Sequence, residues 1–121
     1  MTTSSVERAL RKAIEERRVV CLVDRDGRVR VVEPHVLFET KAGVRQIEGY
    51  QRSGDSRTGG LPDWRHFALE EIHAVTVSEE VFTPQPSFNP ANQRMFPHIA
   101  ARVPTGEELT KSAPGFHERR G

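Results

Sequence analysis

The chain begins with a helical pattern of hydrophobic positions and continues with short segments of strand pattern. Val6, Leu10 and Ile14 recur at every fourth position, and charged residues occupy most of the positions around them. Because residues four apart lie on the same face of a helix, this spacing predicts one amphipathic helix of about three turns. Ser4 and Glu7 have the spacing of a capping box, which predicts that the helix begins there.

Five segments after the helix have the composition of β-strands. They cover residues 19–23, 28–38, 44–51, 64–69 and 72–77, with turn-forming residues between them. The first is predicted to be buried on both faces, and a brief helical turn is predicted at 69–71. Pro34 has no backbone N–H to donate, so we expect an edge position or a bend there. The glycine-rich stretch 52–60 is predicted to be a mobile surface loop.

These elements predict a mainly β, α+β fold at residues 1–82. Five short strands joined by tight turns are enough to close a small barrel, which would leave no exposed sheet edge. The proline-rich stretch that follows is predicted to be irregular, because proline interrupts both helices and strands. Its apolar residues predict that 83–103 packs against the barrel or a partner subunit, and 104–121 is predicted to be a flexible tail.

Composition limits the classes of function. The 121 residues carry a formal net charge of +1, too small for binding a polyanion by bulk attraction, so any basic site must be local. The chain has no apolar run long enough for a membrane span and no secretory signal pattern. Cys21 is the only cysteine, and its apolar neighbours predict a buried thiol in a reducing compartment. We therefore expect a cytoplasmic protein without a membrane partner.

Three spaced segments resemble a known family. They are Ala-Ile-Glu-Glu-Arg-Arg-Val-Val at 13–20, Arg-Val-Val-Glu-Pro-His-Val-Leu at 30–37 and Arg-His-Phe-Ala-Leu-Glu-Glu-Ile at 65–72. In this order they resemble the WYL domains of bacterial transcription regulators, over residues 9–82. The chain departs from the family pattern in two places. Arg-Gln-Ile stands at 45–47 in place of Trp-Tyr-Leu, so only the aliphatic third residue is kept, and Asp24 stands where the family commonly has tyrosine.

The resemblance implies a five-stranded SH3-like or Sm-like barrel that follows an N-terminal helix. It also implies a regulatory module that binds nucleic acid or a nucleotide-like effector, in a divergent and free-standing branch of the family. Residues 1–18 leave room for only one helix, so a separate DNA-binding or effector protein would have to read a DNA sequence.

Arginines supply the candidate site. Arg30 and Arg65 each stand two residues before an apolar core position, which places them on the core-facing side at a barrel mouth. Arg52 ends the third strand at the same end, so the three could converge there. Guanidinium groups bind phosphate, Tyr50 (or Trp64) could stack on a base, and His66 could donate a hydrogen bond. The plainer alternative is that Arg30 and Arg65 form structural ion pairs with acidic neighbours: Glu33, Glu48 or Asp63.

Other chemistry has little support in the sequence. The five histidines share no metal-ligand spacing, and His35 and His66 are interpreted more simply as solvent-facing strand residues. No nucleophile with a base and no carboxylate pair stands out, so we expect neither catalysis nor a cofactor. The alternative function is a non-enzymatic interaction protein, such as a homodimer, whose extension at 83–103 docks on a second subunit.

Overall fold

The computed structural model describes residues 1–56, 59–92, 94–105 and 108. It is mainly β with an N-terminal helix, as predicted. Its elements, in chain order, are α1 (Thr3–Glu16), β1 (Arg18–Asp24), β2 (Val29–Glu39), β3 (Arg45–Gly54), β4 (Asp63–Ala68), a 3-10 turn (Leu69–Glu71), β5 (Ile72–Val81) and β6 (His98–Arg102).

The helix α1 lies with its apolar face on the sheet. Val6, Leu10 and Ile14 are fully buried, as the four-residue spacing predicted. The predicted capping box is wrong: Thr2 caps the helix, and its hydroxyl accepts the Ser5 backbone N–H at 3.1 Å. An extended residue immediately before the first turn is the one whose side chain reaches these free N–H groups.

The six strands form one antiparallel sheet with the order β4-β3-β2-β1-β5, and β6 pairs with β2. Within the described residues β4 and β5 are not paired with each other, so the sheet is not closed. The predicted five-stranded barrel is therefore not confirmed, although the antiparallel order of its strands is present.

The long strand β2 changes neighbours at Pro34. Its first half pairs with β1 up to Val32, and its second half pairs with β6 from Val36 onward. Because β3 pairs along nearly the whole length of β2, β1 and β6 must share the opposite edge. The pairing with β3 also shifts register between Pro34 and Val36. Pro34 thus lies in the gap between the β1 and β6 pairings, where the described strands offer it a ladder partner only in β3, and beside a register irregularity, so a missing N–H is tolerated.

The sheet is strongly curved. Phe67 of β4 pairs with Ile47, which pairs with Leu37, and Arg30 lies seven residues before Leu37 on β2. In a flat sheet the Cα atoms of Arg30 and Phe67 would be about 25 Å apart, from the usual rise per residue and strand spacing. The guanidinium carbon of Arg30 nevertheless lies 5.4 Å from the centroid of the Phe67 ring. The sheet must therefore curl until the beginning of β2 meets the edge strand β4.

Two local predictions about the strands need correction. The strand β3 continues through Gly54 into the predicted loop 52–60, because Ser53 and Gly54 pair with β2. At Gly54, where φ is 98°, a Cβ atom would lie 2.3 Å from the Val29 carbonyl oxygen, so only glycine fits. Arg57 and Thr58 of that loop lie outside the described residues. Cys21 is partly exposed rather than buried, because it lies on the face of β1 opposite Leu22.

The extension after β5 packs on the chain's own sheet. Phe82, Phe88, Phe96 and Val103 are buried in the same hydrophobic core as α1 and the strands. The prediction that 83–103 is irregular is wrong at β6: the six residues between Pro97 and Pro104 retain backbone donors, and the half of β2 beyond Pro34 offers an open edge to the five of them that form β6. The predicted tail 104–121 lies outside the described residues except at positions 104, 105 and 108.

His35 joins this extension to β2. The ring is fully buried, not solvent-facing as interpreted from sequence. Its Nδ1 lies 2.8 Å from the Glu33 carbonyl oxygen, and its Nε2 accepts the Gln85 backbone N–H at 2.9 Å. A carbonyl only accepts, so the proton must be on Nδ1, and the ring is held as one neutral tautomer. The His35 carbonyl in turn accepts the Val103 N–H at 2.9 Å.

The burial of His35 predicts a pH-dependent stability. Burial lowers the pKa of His35 below 6.5, although the hydrogen bond to Glu33 and the charges of Glu33 and Glu48 partly oppose this. The unfolded chain therefore takes up a proton first as the pH falls. Stability is expected to be complete above the ordinary histidine pKa and to fall below it, by up to about 1.4 kcal/mol per pH unit.

Urea unfolding from pH 8 to pH 5.5 measures this slope. His35→Gln is expected to lower stability at pH 8 and to flatten the slope below pH 6.5. His73→Gln is the matched control, because His73 is exposed, and it is expected to keep the wild-type slope. An unchanged slope in His35→Gln would contradict the assignment.

Candidate nucleotide-binding site

The curl of the sheet leaves a cavity between β4 and the β1–β2 turn. Its volume is about 630 Å³, within the range typical of small-molecule sites. The residues that line it are Asp24, Arg25, Asp26, Arg30, Arg65, His66, Phe67, Ala68, Glu71 and Ile72. We refer to it as the arginine cavity. Four consecutive β4 residues line it although neighbours on a strand point to opposite faces, so the cavity follows the free edge of β4.

The β1–β2 turn is fixed on the far side of the cavity by two sets of hydrogen bonds. Asp24 Oδ1 accepts the backbone N–H groups of Asp26 and Arg28, each at 2.9 Å. The backbone N–H of Arg25 donates to the Glu71 carbonyl at 3.1 Å, and its Nε donates to the Glu70 carbonyl at 2.6 Å. The β1–β2 turn is therefore hydrogen-bonded to the 3-10 turn that immediately precedes β5.

Arg30 lies deepest among the arginines of the cavity. Its side chain is 12% exposed, and Nη2 lies 3.5 Å from Asp24 Oδ2. Its Nε is buried and has no hydrogen-bond partner among the residues that the structure describes. Partial burial raises the pKa of Asp24, but the backbone hydrogen bonds and the Arg30 charge outweigh it and lower the pKa overall. Arg30 is thus held by one long ion pair and by the face of the Phe67 ring.

Arg65 enters the cavity from β4 and is 21% exposed. Its guanidinium pairs with Asp63 at 3.1 Å and donates to the carbonyl oxygens of Trp64 and Gly59, at 2.9 and 2.8 Å. The backbone hydrogen bond from Trp64 and the Arg65 side chain lower the pKa of Asp63. The structural ion pair proposed as the plainer alternative is therefore present for Arg65 with Asp63, whereas Arg30 pairs with Asp24.

His66, the residue after Arg65 on β4, also lines the cavity. Its Nε2 lies 2.9 Å from Glu48 Oε2, across the β3–β4 pair. The ring also packs edge-on against Phe38, with centroids 5.7 Å apart. His66 therefore lines the cavity while one ring nitrogen is held by a carboxylate.

The two other predicted site residues lie elsewhere. Arg52 pairs with Glu33 at 2.7 Å and Glu80 at 2.6 Å, and these carboxylates raise its pKa. Tyr50 packs edge-on against Trp64, with ring centroids 5.5 Å apart. Neither lines the arginine cavity. The predicted convergence thus holds for Arg30 and Arg65 but not for Arg52, because the curl brings the beginning of β2 to β4, whereas Arg52 pairs with carboxylates of β2 and β5.

Several lining residues were not predicted, and most are charged. The acidic members are Asp24, Asp26 and Glu71, and the additional basic member is Arg25. The turn signal at 24–27 was visible in the sequence, but nothing in a local pattern places that turn opposite β4. The cavity therefore carries opposite charges in similar number.

Other kinds of site find little support. Among the described residues, no group of three or more His, Cys, Asp or Glu side chains could hold a metal ion; His117 lies outside them. None of the helices described is both long and apolar enough to cross a membrane. Comparison of the chain with protein-family models, curated proteins and solved structures gives no significant match.

The double acceptor role of Asp24 predicts a stability effect next to the cavity. Asp24→Ala removes the acceptor of two backbone N–H groups and the partner of Arg30, so we expect a loss of about 1–2 kcal/mol in unfolding free energy. Asp24→Asn keeps one acceptor oxygen and is expected to lose less.

Urea denaturation of the purified variants measures both effects. Asp26→Ala is the control, because that carboxylate is largely exposed and pairs with Arg28 only at 3.5 Å; its change should stay within about 0.5 kcal/mol. Equal losses in Asp24→Ala and Asp26→Ala would contradict the role assigned to Asp24.

Proposed function

We propose that this chain is a regulatory module that senses a nucleotide-like effector in the arginine cavity. The observation that carries the proposal is that Arg30, Arg65 and His66 line one cavity of ligand size, about 630 Å³. The two guanidinium groups can donate charge-assisted hydrogen bonds to the oxygens of a phosphate. Phe67 and Ala68 supply apolar surface for a base or sugar.

The charges of the cavity favour a nucleotide over a nucleic-acid strand. Strand binding depends on neutralising many phosphates, and Asp24, Asp26 and Glu71 would repel them. A single phosphate needs only the two arginines, and the carboxylates could accept hydrogen bonds from a sugar or an exocyclic amine. Binding of a short single strand is therefore the weaker form of the same proposal.

A role in transcription regulation rests on the resemblance to WYL domains. That proposal includes the SH3-like barrel, which the contact between Arg30 and Phe67 supports, because it requires a strongly curled sheet. It also includes a cytoplasmic location and a separate DNA-binding or effector protein that responds to the bound ligand.

An alternative function is an interaction protein whose extension contacts a second subunit, as in a homodimer. The phenylalanines of the extension are buried within the chain and do not require a partner. Met95 and Ile99 of the same extension are 42% and 38% exposed, and these residues favour the alternative.

The nucleotide proposal is tested by titrating a panel of ribonucleoside mono-, di- and triphosphates and cyclic mononucleotides by isothermal calorimetry. Arg30→Gln and Arg65→Gln are each expected to weaken binding at least about tenfold, because each removes charge-assisted hydrogen bonds to phosphate. Arg52→Gln, outside the cavity, is the matched control and should bind as the wild type does. Absence of binding across the panel, or an equal loss in Arg52→Gln, contradicts the proposal.

The alternative is tested by sedimentation equilibrium of the full chain. If the extension forms a dimer interface, Met95→Ser combined with Ile99→Ser should shift the protein to monomer, because apolar anchors dominate such contacts. Val81→Ser, at an exposed position on β5, is the control. A wild-type chain that is monomeric at all concentrations rules out the homodimer.

A further inference from the structure

A second cavity lies between the β3–β4 face and the extension. Its volume is about 320 Å³. The residues that line it are Glu48, Trp64, Ser87, Phe88, Asn89, Asn92, Met95 and Phe96. None of them lines the arginine cavity. We refer to it as the aromatic cavity.

Three aromatic side chains form the walls of this cavity. The ring centroids of Trp64 and Phe88 are 6.2 Å apart, and those of Phe88 and Phe96 are also 6.2 Å apart. Trp64 is oriented by a hydrogen bond from Nε1 to Ser87 Oγ at 3.1 Å. Phe96 packs edge-on against Phe38, with ring centroids 5.0 Å apart. These walls are therefore held in place by packing from both the sheet and the extension.

Glu48 is the one charged residue among those that line the aromatic cavity. Its side chain is 11% exposed, and His66 is its ion-pair partner within the described residues. A carboxylate that is largely removed from water gains from a further cationic partner. The cavity thus combines aromatic walls with a carboxylate that is largely removed from water.

We propose that the aromatic cavity binds a small alkylated ammonium ion. Aromatic rings attract such ions through their π faces, and the alkyl groups of the ion lose little hydration on entering an apolar site. Glu48 supplies the counter-charge, while Ser87, Asn89 and Asn92 offer hydrogen bonds to a polar substituent of the ion. An anion would be repelled by Glu48, and a neutral apolar ligand would displace water from the carboxylate without offering it a positive charge.

The test compares choline with 3,3-dimethylbutan-1-ol, its neutral isostere, on the full-length wild-type chain without nucleotide. Trp64 is the only tryptophan and lines the cavity, so its fluorescence reports occupancy. Choline is expected to give a saturable change and to bind at least about tenfold more tightly than the isostere. Equal binding of the two compounds, or no saturable response to choline, overturns the proposal.

Two variants assign the contributions. Glu48→Gln keeps the size of the side chain and removes its charge, so it should abolish the preference for choline over the isostere. Phe96→Leu keeps an apolar side chain but removes the π face. It should weaken the binding of choline more than the binding of the isostere. Glu39→Gln, at a partly exposed β2 carboxylate that pairs with Arg45, is the control. Wild-type choline affinity in Glu48→Gln overturns the assignment of the counter-ion, whatever its effect on folding.

A peptide that carries trimethyl-lysine distinguishes the source of the ion. Binding of the peptide at least as tight as that of choline identifies a protein-borne ammonium group, and weaker binding identifies a free small molecule. This site and the arginine cavity are tested with different probes, so either can fail while the other stands.

Discussion

The neutral ring of His35 joins the sheet to the extension that follows β5. It donates to β2 through Nδ1, accepts from the extension through Nε2, and contacts the rings of Trp64, Phe82 and Phe88 at centroid distances of 4.7, 5.1 and 5.3 Å. Both nitrogens are satisfied only in the neutral form, because a protonated Nε2 would face a backbone N–H instead of an acceptor. The packing of the extension, and with it one wall of the aromatic cavity, therefore depends on this ring remaining uncharged.

The position of β2 explains both cavities. Its first half carries Arg30 into the curl of the sheet, where it meets Phe67 on the edge strand β4. Its second half pairs with β6, the last part of the extension that packs on Trp64. Pro34 and the register shift beside it divide the two halves. The first half of β2 thus brings the β1–β2 turn close to β4. The second half provides the edge on which the extension pairs.

The two cavities meet at the hydrogen bond between His66 and Glu48. His66 lines the arginine cavity and Glu48 lines the aromatic cavity, and their side chains are 2.9 Å apart. The pair thus forms the boundary between the two cavities, and it is largely removed from solvent on the Glu48 side, where the side chain is 11% exposed.

The sequence by itself determined the helix, the five main strands and the turn at 24–27, because these depend on periodicity and on local turn chemistry. It also identified Arg30 and Arg65 as inward-facing, since alternation along a strand fixes the face. Only the tertiary structure decided which of these residues are in contact. Arg52 pairs with Glu33 and Glu80. Arg30 instead contacts Asp24 and the ring of Phe67. The curl of the sheet, the burial of His35 and the pairing of β6 depend on contacts between segments far apart in the chain, and no local pattern encodes them.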